Sequence, residues 1–399
     1  MHEIKTLSGN SFAGRGYANR GVDKAALYLQ RRFKEMGLQS FSNDSNYLQP
    51  YTFSVQTFPG DVYLKLGKKE LKPGEDYIVH ESSASFKNGK DLKLQVVDVT
   101  DIKDTTAWNE KLQDLKPSRA YYLQGWDSAR THLKWTRRVM QERFPKGLFI
   151  IPQHGKLTWS VGRDTLAATI FYVEDTVLPK RIRKVKARLD AKFISEYKCN
   201  NVAGYIPGTE QPDSFIVFSA HFDHLGRMGR KTTFPGAHDN ASGTALMLGM
   251  AQYYAQHPQR YSMVFMGFSG EEAGLLGSKY YVQHPLFPLE KIKMVFNVDM
   301  TGVAKDGITV VNAKEQSEIF KLMTALNDSL HYLPKITERD QTQNSDHYSF
   351  SSKGVPAIFI YGQGGKPYYH DVFDTAKELT LERIDKLAEL MIETVKGLQ

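Results

Sequence analysis

Apolar runs of strand length alternate with helical segments in the second half of the chain. Five runs have the length and composition of buried strands, and they begin between residues 201 and 355: NVAGYIP, SFIVFSA, SMVFMGFS, KMVFNVDM and VPAIFIYG. Helical segments separate them, among them TALMLGMAQYYAQ, a stretch around 316–331 and a last one near 380–398. Continuous apolar strands that alternate with helices are typical of parallel sheets covered on both faces. We therefore predict an α/β fold with a mixed, largely parallel sheet and helices on both faces.

The first half of the chain has a different pattern. Near the N-terminus five apolar residues recur at helical spacing and predict an amphipathic helix that stops at Gly37: Val22, Ala26, Leu29, Phe33 and Met36. From about 50 to 180 the runs are short and interrupted by Gly and Pro, which predicts hairpins and loops. We therefore predict one domain from residues 1–55 and 185–399, with a mostly β domain inserted at 56–184.

Composition is that of a globular protein and narrows the possible chemistry. Apolar residues make up 41% and charged residues 24% of the chain, which excludes disordered, collagenous and coiled-coil proteins. The single cysteine, Cys199, rules out an internal disulfide, so a metal or catalytic site must use His and carboxylates. No stretch approaches the roughly 18 uncharged apolar residues of a membrane span, and the first residues lack the apolar core of a signal peptide. We expect no membrane-spanning segment.

The net charge of +8 would suit an anionic partner. The charge is spread along the chain, however, and its densest run, KRIRKVKARLDAK at 180–192, interleaves bases with apolar residues. No aromatic platform or nucleic-acid motif accompanies that run. We interpret it as the solvated face of a strand and expect no nucleic-acid partner.

Residues suited to metal chemistry follow the ends of four predicted strands. SFIVFSA runs into His221, SMVFMGFSG into Glu271 and Glu272, KMVFNVDM reaches Asp299, and a Gly-rich loop after VPAIFIYG leads to His370. In parallel sheets ligands sit beyond the carboxyl ends of the strands, so these side chains are expected at one edge. Asp239, just before an apolar helix, is expected at the same edge.

Two histidines and three carboxylates form a nitrogen and oxygen ligand set that suits Zn²⁺, and one shared carboxylate would let it hold two ions. Glu271 and Glu272 are adjacent carboxylates at a strand end, and their mutual repulsion is costly unless a positive charge lies beside them. A metal ion could bind one of them and leave the other as a base. Taken singly, such an Asp is more often a helix cap and such a His a hydrogen-bonded structural residue. Their joint occurrence at one edge favours a metal site.

Six segments, in this order, resemble those of the co-catalytic zinc aminopeptidase family, which also contains glutamate carboxypeptidases and glutaminyl cyclases. They are SAHFDHLG, GAHDNASGTALML, GFSGEEAGLLGS, NVDMTG, NSDHYSF and YYHDVFDT. The resemblance covers about 200–375 and the GRGYANRG segment before the first helix. It implies two zinc ions per chain, one bound by His221, Asp239 and Asp299, the other by Asp239, Glu272 and His370.

The resemblance also implies roles for the remaining site residues. Glu271 would be the general base toward a hydroxide held by two ions roughly 3.5 to 4 Å apart. Tyr369 would stabilise the tetrahedral oxyanion, although a packed aromatic is an equally good interpretation. Asp223 would orient His221 through its far ring nitrogen, and Asp346 is a weaker candidate for such support. The insertion would be a protease-associated type of domain, and the protein would be secreted or periplasmic.

The leading hypothesis is thus a dinuclear-zinc aminopeptidase acting on peptides; its oligomeric state is not indicated. A single-zinc glutaminyl cyclase, a carboxypeptidase on the same fold and a catalytically silent binding domain are the alternatives. A carboxypeptidase needs a fixed cation for the terminal carboxylate, and the candidate segments contain five: Arg227, Arg230, Lys231, Lys279 and Lys366. The converging carboxylates instead favour a terminal amine.

Overall fold

The computed structural model describes residues 1–42, 46–134, 136, 139, 142–179 and 182–398. Within these residues the chain forms two eight-stranded sheets and the short ribbon of β12 (Gly226–Met228) and β13 (Thr232–Phe234). The first sheet has this spatial order: β1 (Leu48–Thr57), β10 (Lys192–Ile206), β14 (Tyr261–Phe268), β11 (Gln211–His221), β15 (Ile292–Val298), β18 (Ala357–Gln363), β16 (Gly307–Val311) and β17 (Ile336–Arg339).

The centre of the first sheet is parallel and its flanks are mixed. β14, β11, β15 and β18 pair in parallel, whereas β1 with β10, β10 with β14 and β16 with β18 pair antiparallel. The four central strands correspond to four of the five apolar runs, so the predicted mixed, largely parallel sheet is confirmed. Their carboxyl ends consequently lie at one edge of the sheet.

Nine α-helices lie in the described residues: α1 (His2–Leu7), α2 (Gly21–Glu35), α3 (Thr105–Gln113), α4 (Trp126–Leu133), α5 (Gly243–Gln256), α6 (Leu276–Gln283), α7 (Ser317–Leu330), α8 (His347–Ser351) and α9 (Ile384–Gly397). Short 3₁₀ segments are Asn10–Arg15, Ala18–Arg20, Asp175–Val177 and Leu289–Lys291. None of the described helices combines the length and apolarity needed to cross a membrane.

Helices cover both faces of the first sheet because successive residues of a buried strand point to opposite sides. Along β11, Ile216 and Phe218 belong to one hydrophobic cluster with α2, α5, α7 and α9, whereas Val217 belongs to another with α6 and α8. The amphipathic helix predicted near the N-terminus is α2. Its Leu29 and Phe33 are completely buried in the first cluster.

Strands between residues 62 and 189 form the second sheet. Its spatial order is β3 (Lys69–Leu71), β2 (Val62–Leu66), β9 (Lys184–Leu189), β5 (Phe86–Asp98), β6 (Ala120–Gln124), β7 (Leu148–Gln153), β8 (Thr169–Glu174) and β4 (Tyr77–Val79). Only part of it consists of the expected hairpins, because β5 to β8 are parallel neighbours and parallel strands need longer crossovers. The helix α3 lies in one of these crossovers.

The strand β9 contains the middle of the basic run and extends the second sheet past the expected boundary at residue 184. Val185, Ala187 and Leu189 are buried, while the bases between them are exposed, as a solvated strand face requires. Residues 180 and 181 of that run lie outside the described residues. The assignment of 56–184 as a separate, protease-associated type of domain stays a prediction.

Candidate metal centre

The parallel strands bring the predicted ligands together at their shared edge. His221 is the last residue of β11, Asp299 directly follows β15, and Glu271 and Glu272 lie just past β14. His370 comes from the loop after β18. All five predicted ligands and Glu271 converge at this edge, and each is buried or nearly so.

The first predicted ligand set is compact. His221 Nε2 lies 3.4 Å from Asp239 Oδ1 and 3.3 Å from Asp299 Oδ1. Ser345 Oγ donates to Asp299 Oδ2 at 3.1 Å, but the buried Asp299 Oδ1 has no hydrogen-bond donor among the described residues. A buried carboxylate oxygen without a donor is costly, and a cation between these three groups would satisfy it.

The second predicted ligand set shares Asp239 with the first. His370 Nε2 lies 3.1 Å from Asp239 Oδ2 and 2.9 Å from Glu272 Oε2. The two oxygens of Asp239 therefore face two different histidines, which is the arrangement a bridging ligand requires. The nitrogen and oxygen donors of both sets suit zinc.

His224 is a member of this site that the sequence reasoning missed. Its Nδ1 donates to Glu272 Oε1 at 2.7 Å, so both oxygens of Glu272 contact a histidine. His224 is completely buried and orients Glu272 from the side opposite His370. Its position after His221 in HFDHLG was visible in the sequence, but nothing local distinguishes it from a structural histidine.

The concentration of buried charge shifts several pKa values. Burial alone would lower the pKa of His221, but the negative charges of Asp299 and Glu271 outweigh burial and raise that pKa well above its usual value. Burial, reinforced by the charge of Glu272, raises the pKa of Glu271 well above the usual range, although His221 opposes this. Burial acts in the same direction on Glu272, but the nearby His370 and the hydrogen bond from His224 hold the pKa of Glu272 well below its usual value.

The loop that carries Asp239 is held by Arg15, another residue whose role the sequence did not reveal. The buried guanidinium donates to five backbone carbonyls, namely those of Leu7, Phe222, Pro235, Gly236 and Asp239, at 2.7 to 3.2 Å. Burial lowers the pKa of Arg15 to about 10, against the pull of Asp239 and other carboxylates, so it remains charged at neutral pH. The loop begins at Gly236 with φ of +59°, where a Cβ would lie 2.2 Å from Asp239 O.

Asp223 supports the site in a way that differs from the expectation. Its carboxylate accepts hydrogen bonds from Tyr17 Oη at 2.7 Å and from the backbone N–H groups of Glu271 and Glu272 at 3.2 and 3.4 Å. Its Oδ1 lies 3.7 Å from His221 Nδ1, which is longer than a hydrogen bond. In this structure Asp223 therefore positions the glutamate pair more directly than it orients His221.

Asp346 lies in the buried surroundings of the first ligand set. It is completely buried, and burial raises its pKa to about 7, although the charge of His221 opposes that shift. Its carboxylate is an electrostatic neighbour of Asp299 and Asp223. Asp346 is thus near the site, as expected, but among the described residues no hydrogen bond joins its carboxylate to a ligand side chain.

Tyr369 stacks on the ring of His370, with 3.9 Å between the ring centroids. The residue is 42% exposed, which leaves part of it at the surface of the site. Burial of the hydroxyl, together with the charges of Asp239 and Glu272, raises the pKa of Tyr369 well above its usual value. The hydroxyl therefore keeps its proton and is available as a hydrogen-bond donor.

A cavity of about 570 Å³ adjoins the centre on the side of the second sheet. Glu272, Ala273 and Gly274 line one wall, and residues 80–82 and 161–164 line another. Both sheets therefore contribute to the space beside Glu272.

Comparison with known proteins agrees with this geometry. Residues 201–395 match the sequence model of peptidase family M28. The chain is 28% identical over 219 residues to aminopeptidase YwaD of Bacillus subtilis, an alignment that covers 53% of this chain and 47% of that protein. It is also 28% identical over 222 residues to a probable leucine aminopeptidase of Arthroderma otae, covering 53% and 61%. The chain thus spans about half the length of these curated relatives.

Solved structures match over nearly the whole chain. A zinc aminopeptidase from Bacillus subtilis, BSAP, superimposes with a TM-score of 0.71 at 19% identity, covering 99% of this chain and 93% of that one. An aminopeptidase from Aneurinibacillus sp. strain AM-1 gives a TM-score of 0.67 at 20% identity, covering 99% and 92%. At these identities the likeness establishes the fold, and the predicted zinc aminopeptidase-like architecture is confirmed.

Proposed function

We propose that this chain, whose residues 201–395 belong to peptidase family M28, is a zinc aminopeptidase that uses two zinc ions to remove N-terminal residues from peptides. The observation that carries the proposal is the position of Asp239. One of its oxygens lies 3.4 Å from His221, which also approaches Asp299, and the other lies 3.1 Å from His370, which also approaches Glu272. Relatives and structural neighbours named as aminopeptidases support the same conclusion.

These contacts support the ligand assignment that the family resemblance implies. His221, Asp239 and Asp299 would hold one ion, and Asp239, Glu272 and His370 would hold the other. Bound zinc lowers the pKa of a water and polarises a scissile carbonyl. The buried carboxylates would be stabilised by the ions, whose charge offsets their desolvation.

Within the pair, the contacts of the side chains support Glu272 as the ligand and Glu271 as the base. Both oxygens of Glu272 are engaged, one by His224 and one by His370. A carboxylate oxygen of Glu271 instead lies within 4.8 Å of ligand atoms of His221 and Asp299, and the backbone of Glu271 is held by Asp223. Glu271 would take a proton from the attacking water and return it to the leaving amine.

Tyr369 would act on the other side of the substrate. Its ring is fixed against His370, and its protonated hydroxyl can donate to the oxygen that becomes negative as the carbonyl is attacked. A donor placed where charge develops stabilises the transition state more than the ground state.

The charges around the site favour attack at the N-terminal end of a peptide. Three of the five bases considered for binding a terminal carboxylate have partners elsewhere: Arg227 with Thr233, Arg230 with Asp61 and Lys366 with Glu378. Lys279 donates to the carbonyl oxygen of Gly274, which lines the adjoining cavity. The converging carboxylates favour the terminal amine of a peptide. Arg163 lines the adjoining cavity and could bind a terminal carboxylate instead. The substrate comparison below therefore tests which end of the peptide is cleaved.

Zinc analysis tests the metal part of the proposal. We expect about two Zn²⁺ per chain in the wild type, and loss of both in Asp239→Ala because that side chain serves both sets. Asp340→Ala is the control, since the side chain of Asp340 is 68% exposed and pairs with Lys314. Loss of a single ion in Asp239→Ala would contradict the bridging role, and one ion in the wild type with cyclisation of N-terminal glutamine would favour a glutaminyl cyclase.

Substrate comparison tests the direction. Free-amine peptides and aminoacyl anilides should be cleaved, and N-acetylation of the same peptides should lower kcat/KM by more than tenfold, about 1.4 kcal/mol of transition-state binding. Equal turnover of both forms, or release of C-terminal residues, would overturn the aminopeptidase assignment and leave the metal site intact. Secretion or a periplasmic location remains part of the proposal.

A further inference from the structure

We propose that residues 154–161 of the second sheet's connecting segment position His370 for one of the two zinc ions, an inference that rests on the proposed function. This segment leaves β7 and precedes β8, so it belongs to the predicted insertion and not to the sheet that carries the other ligands. The second sheet would then be part of the metal site's support.

The segment and the ligand loop hold each other through a reciprocal pair of hydrogen bonds. Trp159 N donates to His370 O at 3.0 Å, and His370 Nδ1 lies 3.0 Å from Trp159 O. Because a carbonyl oxygen only accepts, the ring of His370 carries a proton on Nδ1. That bond turns Nε2 toward Asp239 and Glu272, where a metal ligand is needed.

Lys156 adds a charged contact to the same loop. Its Nζ donates to Asp371 Oδ2 at 2.7 Å and to Pro367 O at 2.6 Å, so it joins both ends of the turn that contains His370. The side chain of Lys156 is 39% exposed, but that of Asp371 is only 3% exposed. An ion pair with one partner buried is screened less than a surface pair and constrains the loop more strongly.

The connection continues from Asp371 to the bridging ligand. Asp371 Oδ1 accepts from the backbone N–H groups of Phe373 and Asp374, at 2.8 and 3.1 Å. The carboxylate of Asp374 in turn accepts from His238 N and Asp239 N, at 2.8 and 3.0 Å. Lys156 is therefore linked directly to the residues that flank His370, and more remotely, through Asp371 and Asp374, to Asp239, which both sets share.

The segment is anchored firmly enough to act as a support. Trp159 is 5% exposed, and its Nε1 donates to Val79 O in β4 at 2.9 Å. Its ring packs against Phe234 of β13 and Phe58 at the end of β1, with centroid separations of 4.7 and 6.0 Å. The side chain of Trp159 is thus fixed to the second sheet at β4, while its backbone bonds to His370.

Two of the three ligands of the first set are supported differently. His221 ends β11 and Asp299 follows β15, so both positions are determined by pairing within the first sheet. Weakening the contact of Lys156 should consequently affect one zinc ion more than the other. This selectivity distinguishes a positioning role from a general loss of stability.

The test measures two Zn²⁺ dissociation constants by competition with a chromogenic chelator in three variants. Lys156→Met should raise one constant by about 10- to 100-fold, the usual effect of removing a partner that orients a ligand, and leave the other within about twofold. Lys156→Arg, which keeps the charge and its donors, should recover most of the lost affinity. Lys184→Met, which removes an exposed lysine paired with Asp91 in the same sheet, should match the wild type.

Amide hydrogen exchange of the chelator-treated protein gives a readout that needs no zinc. Lys156→Met should speed exchange of Trp159 N–H and of residues 369–374, with no change in β11 and β15. The inference would be overturned if the wild type binds two zinc ions and Lys156→Met leaves both dissociation constants unchanged. It would also be overturned if Lys156→Met raised both constants equally. Fewer than two ions in the wild type would refute the proposed function instead, and unchanged exchange at 369–374 would then overturn the positioning role as well.

Discussion

Arg15 is expected to be among the most important single side chains for the stability of the first sheet. Its guanidinium donates to five buried or part-buried backbone carbonyls from three separated segments, around residues 7, 222 and 235–239. The replacement Arg15→Met keeps most of the apolar stem and removes every donor. The carbonyls then lose their partners where water has little access, and each such loss costs about 1–3 kcal/mol.

These costs do not add fully, because neighbouring carbonyls can share a water and the Asp239 loop can relax. We therefore expect Arg15→Met to lower the free energy of unfolding by about 3–5 kcal/mol, the range found when one partner of a buried charged network is removed. The free energy of unfolding of Arg15→Lys should lie between those of the wild type and Arg15→Met, since an ammonium group has three donors for five acceptors. The urea midpoint for Arg15→Met should fall by this lost free energy divided by the m value measured in the same titration.

Thiol labelling of Cys199 at increasing urea is a suitable assay, because this buried residue of β10 is the only cysteine and reports on the first sheet. Tryptophan fluorescence would report on the segment between residues 108 and 159, which contains all four tryptophans of the sequence. The control is Arg20→Met, which removes an exposed side chain paired only locally with Asp23. If Arg15→Met and Arg20→Met unfolded at the same urea concentration, the assignment of Arg15 as the support of the Asp239 loop would be wrong.

Three further predictions concern the site and its surroundings. Glu271→Gln should keep both zinc ions and lower kcat by about 10²–10⁴, whereas Glu272→Gln should weaken zinc binding. Elemental analysis and kinetics on the same preparation measure both effects. The reverse pattern would mean that Glu272 is the base and Glu271 the ligand. Tyr369→Phe should lower kcat by at least about tenfold with little change in KM, and an unchanged kcat would make Tyr369 a packing residue only. Burial raises the pKa of Cys199 to about 12, so at pH 8 the native thiol should react about 10³-fold more slowly than the unfolded one. Because that folded pKa is raised, the contribution of Cys199 to stability is complete below about pH 8.5 and is lost as pH rises toward 12, which urea titrations across this range can detect.

The sequence by itself determined the central parallel strands of the first sheet and the identity of its candidate ligands. Both depend on short-range patterns: an apolar run predicts a buried strand, and the residue after it lies at the strand's carboxyl end. Because neighbouring parallel strands end at the same edge, His221, Glu272 and Asp299 could be placed together without knowing any contact between them. The strands β16 and β17, which lack so clear a pattern, were not predicted.

Tertiary structure decided which residues support those ligands. The partner of His370 is Trp159, 211 positions away, and Arg15 reaches Asp239 across 224 positions. Such contacts depend on how the two sheets pack and on which backbone carbonyls happen to face a side chain, and neither leaves a periodic signal in the sequence. Local spacing could therefore identify the atoms suited to bind a metal, whereas only the packed chain shows what holds those atoms in place.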